Sequence, residues 1–107
     1  MEKTILIYEM HDGKRPFSNW LLELRDIKAR AKVRTRINRL QLGNMGDCKS
    51  VGEGVSELRI PYGPGYRVYF GQKGELTVIL LCGGDKSSQK KDIQLAKEYW
   101  KEFKNGN

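Results

Sequence analysis

Three stretches, Val55-Ser56-Glu57-Leu58-Arg59-Ile60, Tyr66-Arg67-Val68-Tyr69-Phe70 and Leu76-Thr77-Val78-Ile79-Leu80-Leu81-Cys82, carry the architecture. The first two alternate in polarity and the third is apolar almost throughout, the pattern that a period of two imposes on strands. They predict an antiparallel meander whose last member is central and covered on both faces. Pro61, Gly63-Pro64-Gly65 and Gly71-Gln72-Lys73-Gly74 punctuate it as turns. Alternation then sorts the side chains. Leu58 and Ile60 point one way and Glu57 and Arg59 the other, while Tyr66, Val68 and Phe70 oppose Arg67 and Tyr69.

Upstream, Lys3 to Glu9 reads as a first strand, and His11 to Pro16 as a turn cluster. Ser18 is the expected cap of a helix to Arg25, with Phe17 and Leu22 as a staple and Trp20, Leu21 and Leu24 buried. Asp26 caps a longer helix to about Leu42, stopped by Gly43-Asn44. Ala29, Val33, Ile37 and Leu40 form its core stripe. Lys28, Lys32, Arg36 and Arg39 flank that stripe on one side, Arg30 and Arg34 on the other, and no acid occurs between Ile27 and Gly46. Downstream, Gly83 to Ser88 breaks the last strand and caps a helix carrying Ile93, Ala96, Trp100 and Phe103. The expected order is β-α-α-β-β-β-α over a single domain, residues 1–107. It is an α+β architecture with helices packed on one face of a mostly antiparallel sheet.

Composition narrows the function. Lys plus Arg total 20 against 13 Asp plus Glu, a net charge of +7, which points to an anionic partner. The longest apolar run, Val78 to Cys82, is far short of the ~20 residues a membrane helix needs. The N-terminus lacks the apolar core of an export signal, so the expected location is cytoplasmic. Cys48, Cys82 and His11 have no metal-ligand spacing, so neither metal nor cofactor is expected.

The sheet face opposite the apolar one would carry Glu57, Arg59, Arg67 and Tyr69, with Lys86 just past the last strand. Guanidiniums bind phosphate bidentately, Lys adds a point charge, and Tyr69 could stack on a base. The plainer reading is an exposed sheet face of solvated or cross-strand pairs. The basic helix likewise reads either as a solvated face or as an RNA-binding one, through Lys28, Lys32, Arg36 and Arg39.

Gly43-Asn44-Met45-Gly46-Asp47-Cys48-Lys49, Val55 to Ile60, Gly63 to Phe70 and Leu80 to Gln89, followed by Asp92-Ile93 and Ala96, closely resemble the RelE/ParE superfamily of bacterial toxins. The sequence is similar to its HigB-like branch, often labelled "addiction module killer protein". The resemblance implies a type II toxin–antitoxin system and a small sheet with helices packed on one side. It also implies a cognate antitoxin partner, often a HigA-like helix-turn-helix protein. The RelE and HigB branches cut mRNA without metal, commonly on the ribosome; the ParE branch poisons gyrase instead.

By the same resemblance Arg67 contacts the scissile phosphate, Lys86 and Arg59 are further catalytic cations, Lys49 binds RNA, and Glu57 serves as base. The sequence lacks the C-terminal His or Tyr that several nuclease members place on that side. The expectation is an endoribonuclease in which the 2′-OH attacks phosphorus to leave a cyclic phosphate. A gyrase inhibitor of the ParE kind and a basic RNA- or ribosome-binding module are the alternatives.

Overall fold

In the computed structural model, which describes residues 1–106, the chain begins with β1 (Thr4–Ile7), α1 (Pro16–Glu23) and α2 (Ile27–Gln41). It continues through β2 (Cys48–Gly52), β3 (Val55–Ile60), β4 (Tyr66–Lys73) and β5 (Thr77–Asp85). A 3-10 turn (Lys86–Ser88) then leads into α3 (Gln89–Asn105). The strands form one sheet in the order β1-β5-β4-β3-β2, with β1 parallel to β5 and all other pairs antiparallel. The expected α+β meander is present, and β5 is an interior strand whose Val78 to Cys82 are all buried.

Alternation holds across the meander. Leu58, Ile60, Val68, Phe70, Val78 and Leu80 pack with Phe17 and Leu21 of α1 and with Val33 and Leu40 of α2. Val55, Tyr69, Ile79, Leu81 and Cys82 pack on the opposite face with Ala96 and Trp100 of α3. A bulge where Tyr69 faces Cys82 but Phe70 faces Leu80 puts Leu81 and Cys82 on the same side.

Five details differ from the reading of the sequence; the first is that Gly71, Gln72 and Lys73, expected in a turn, extend β4 and pair with β5. Only α1 and α2 share a face; α3 covers the other, supplying the second cover that the apolar β5 requires. An additional edge strand, β2, pairs with β3 ahead of a tight turn in which Glu53 takes a φ of 55°. Helix α1 starts at Pro16, whose fixed φ suits a first turn, so Ser18 lies inside the helix and Leu22 is exposed. Gly83 and Gly84 belong to β5 rather than to a turn. A Cβ on Gly83 would stand 2.2 Å from the Trp20 ring, and one on Gly84 1.8 Å from Asp92 Oδ2, so close packing on the two faces demands both glycines.

Helix α2 follows expectation closely. The Asp26 carboxylate accepts the Lys28 and Ala29 amides, and Gly43, at φ 91°, ends the helix.

Candidate functional site

The register sets Lys49 of β2 opposite Glu57 of β3, and Glu57 opposite Tyr69 of β4. One step along, Arg59 faces Arg67, and Arg67 faces Gly84. The sequence-derived candidates on the meander therefore converge on one patch of the α3 face. At its centre is Glu57, whose side chain is 0% exposed.

A buried carboxylate is costly unless donors and charge compensate it. Glu57 has both. Arg59 Nε donates to Oε1 at 2.8 Å, Gln89 Nε2 of α3 to Oε2 at 2.8 Å, and the Tyr69 hydroxyl to Oε2 at 3.2 Å. Arg67 Nε lies 3.5 Å from Oε2 as an ion pair. Burial alone would raise the pKa of Glu57. The hydrogen bonds from Arg59 and Gln89 and the charges of Arg67 and Arg59 outweigh burial and hold the carboxyl below its ordinary range. Glu57 is thus a fixed anion that fastens two guanidiniums on neighbouring strands.

The guanidiniums differ in access. Arg67 is 12% exposed and its Nη1 also donates to the Gly65 carbonyl at 3.2 Å. Arg59 is 37% exposed and forms the rim. Lys86 is exposed and sits beside the Gly63-Pro64-Gly65 turn. A Cβ on Gly65 would stand 3.7 Å from both Arg67 Nη1 and Lys86 Cβ, which places Lys86 next to the Arg67 fork. Lys49 is exposed on the β2 side. The Lys86 turn is held by Asp85, whose carboxylate accepts the Ser87 amide at 2.8 Å. An acceptor anion entering here would meet Arg67, Arg59 and Lys86 with Glu57 behind them.

Two expectations about this face change. Tyr69 is 0% exposed and its hydroxyl is spent on Glu57, so no face of its ring is open to a base. Burial, followed by the charge of Glu57, raises its phenol well above the usual range. The cause is α3, which roofs the β4 centre. Glu57 likewise has no oxygen turned toward solvent, which suits positioning better than proton abstraction.

The expected RNA-binding residues of α2 lie on the other side of the sheet. Lys28, Lys32 and Arg39 are exposed there. Lys32 sits 5.1 Å over the Tyr62 ring, whose hydroxyl donates to Asp26 at 3.0 Å. Arg36 is not a free surface cation. Its guanidinium donates to the Arg59 carbonyl and, at 3.5 and 3.4 Å, to the carbonyls of Met45 and Asp47, fastening the α2–β2 connection to β3. Sequence reasoning missed this clamp and missed Gln89. The turn residues at 43–47 and a polar residue opening α3 were the only signals for either.

Among the described residues no three His, Cys, Asp or Glu side chains gather as metal donors. Nor is any helix of these residues long and apolar enough to cross a membrane. Both cysteines are free; burial pushes the Cys82 thiol up to about 12 and, more weakly, raises Cys48.

Residues 19–101, which span this whole patch, match the model of the family described as phage derived protein Gp49-like (DUF891). An uncharacterized protein of Haemophilus influenzae (strain KW20 / Rd) is 57% identical over 81 residues, covering 76% of this chain and 82% of the relative. The α+β sheet with its buried Glu57 and flanking arginines is therefore that of a Gp49-like phage-derived protein, and the chain belongs to that family, in general one of type II toxins of the RelE/HigB kind.

Proposed function

We propose that the chain is the toxin of a type II toxin–antitoxin pair and acts as a metal-independent mRNA endoribonuclease on the ribosome, in the cytoplasm, until a cognate antitoxin neutralises it. The observation that carries this reading is the pair of guanidiniums, Arg59 and Arg67, fastened by one buried carboxylate beside the exposed Lys86. Cations preorganised in this way require no rearrangement when charge develops on a phosphate.

In the reaction the substrate 2′-hydroxyl gives its proton to water as its oxygen bonds to the adjacent phosphorus, the bond from phosphorus to the 5′-oxygen breaks as that oxygen takes a proton from water, and a cyclic phosphate remains. Arg67 bridges the non-bridging oxygens, and Arg59 and Lys86 neutralise the charge that accumulates there. Lys49 extends the track for the RNA backbone along β2. Glu57 acts by holding the forks in register rather than by taking the 2′-OH proton.

The test is cleavage of ribosome-bound mRNA by purified protein, with and without a chelator at constant ribosome integrity. Cyclic-phosphate ends that persist in chelator and form about 10²-fold more slowly in Arg67→Lys support the reading. Intact RNA together with loss of gyrase supercoiling would replace it by gyrase inhibition.

A further inference from the structure

Among the described residues β1 closes one side of the sheet and pairs only with β5. Its inner ladder is visible in the Thr4 amide donating to Leu76 and the Tyr8 amide to Leu80. In a parallel pair alternate residues face the neighbour, so the amides and carbonyls of Ile5 and Ile7 point away from β5. Ahead of them the Lys3 amide donates to the Gln41 carbonyl at the end of α2, and there the helix closes the edge. Beyond that point the edge is open.

The side chains around it are unusually apolar for an open edge. Leu6, at 45%, and Ile7, at 41%, are exposed on β1 itself. Leu76, whose carbonyl Thr4 engages, is exposed beside them, and so are Met1 and Leu42 where the chain start meets Gly43. Open edges are ordinarily blunted by charge, proline or a bulge, and clustered exposed aliphatics mark a binding surface. None of these three devices occurs in Thr4-Ile5-Leu6-Ile7.

Charge selects the occupant. A second copy would bring two bodies of +7 together, with Lys3 of each at the same edge. A four-residue strand paired with its own copy also offers little of the about 1,200 Å² that a stable interface needs. An acidic chain meets neither obstacle. We propose that the open edge of β1 takes up an extended acidic segment of a partner protein, paired through the backbone of Ile5 and Ile7 and packed on Leu6, Ile7, Leu42 and Leu76. This rests on the toxin–antitoxin reading only for the existence of such a partner; pairing is read at β1 and catalysis at Arg67, so the two fail separately.

The probe is the peptide acetyl-Glu-Val-Glu-Val-Glu-Val-amide added to the full chain, followed by amide hydrogen exchange in NMR. Saturating peptide should slow exchange at Ile5 and Ile7 by about tenfold or more, leave the inward Thr4 and Tyr8 amides unchanged, and bind less well as salt rises. Ile7→Pro removes an outward N–H only and should weaken binding by about tenfold while retaining β1–β5 protection. Leu6→Glu, which changes no backbone group, should weaken it as well by like-charge repulsion. A Lys/Val counterpart peptide should not bind. Three results overturn the proposal: no protection at millimolar peptide, peptide-induced shifts confined to α2, or a sedimenting dimer whose Ile5 and Ile7 amides are already protected without peptide.

Discussion

Glu57→Gln is the most informative substitution, because it removes one charge from the centre of the site and almost no volume. The carboxylate is 0% exposed and receives Arg59, Gln89 and Tyr69 as donors, with Arg67 paired at 3.5 Å. The amide presents an NH₂ to this ring of donors and leaves Arg67, 12% exposed, without a counter-ion. Breaking one partner of a buried pair costs roughly 3–5 kcal/mol. Partial hydration of the Arg67 fork places this case at the low end, about 3 kcal/mol. For a domain of this length that lowers Tm by on the order of 15 °C.

The pH dependence separates this loss from mere misfit. The folded-state pKa of Glu57 is depressed, so its contribution is fully present above the unfolded value of about 4.3 and is lost as pH falls through the folded value. Urea unfolding of both proteins between about pH 7 and pH 3 should show the gap narrowing below about pH 4. Asp26 and Asp85, also depressed, titrate alike in both proteins and cancel. A gap under about 0.5 kcal/mol at pH 7, or one that acid leaves unchanged, refutes the account of Glu57 as a fixed anion.

Lys86→Ala, at an exposed turn, should change stability by less than about 0.5 kcal/mol while lowering RNA cleavage by at least about tenfold, measured by single-turnover kinetics. Arg67→Lys keeps the charge beside Glu57 but loses the bidentate fork, and should lower kcat by about 10² with a smaller change in KM. Gly84→Ala drives a Cβ to 1.8 Å from Asp92 Oδ2 and should cost roughly 1–3 kcal/mol or more in thermal unfolding. Iodoacetamide at pH 8 should alkylate half-buried Cys48 well before Cys82, whose thiol burial pushes up to about 12; mass spectrometry of the native protein checks this.

The faces of β3 and β4 were legible because a period of two needs no tertiary information: Leu58, Ile60, Val68 and Phe70 had to oppose Glu57, Arg59, Arg67 and Tyr69. Depth was not legible. Alternation tells which way Glu57 and Tyr69 point but not what lies above them, and α3 roofs both. Its stripe of Ile93, Ala96, Trp100 and Phe103 declares a buried helix face without saying against which side of the sheet. The clue lay in β5, where Ile79 and Leu81 need an apolar cover distinct from the one over Val78 and Leu80. β2 escaped notice because Cys48-Lys49-Ser50-Val51-Gly52 is an edge strand, mostly exposed and weakly patterned. Arg36 was legible as a cation but not as a clamp, since its partners are backbone carbonyls that no side-chain pattern records.

The placement of the cations has a consequence for how the molecule meets an anion. Arg59, Arg67, Lys86 and Lys49 belong to the α3 side of the sheet; Lys28, Lys32 and Arg39 stand on α2, on the other. The molecule is about 24 Å through its thinnest direction, more than twice the Debye length of about 8 Å at physiological salt. The two groups therefore act on an approaching polyanion as separate surfaces rather than as one field. A single RNA strand lying over Arg67 gains little from α2. A partner that covers α2 and the open β1 edge leaves the Arg67 fork uncovered unless its chain also passes around the sheet. Neutralisation of charge and occlusion of the site are thus distinct tasks in this fold, and a neutralising partner long enough to do both must wrap rather than dock.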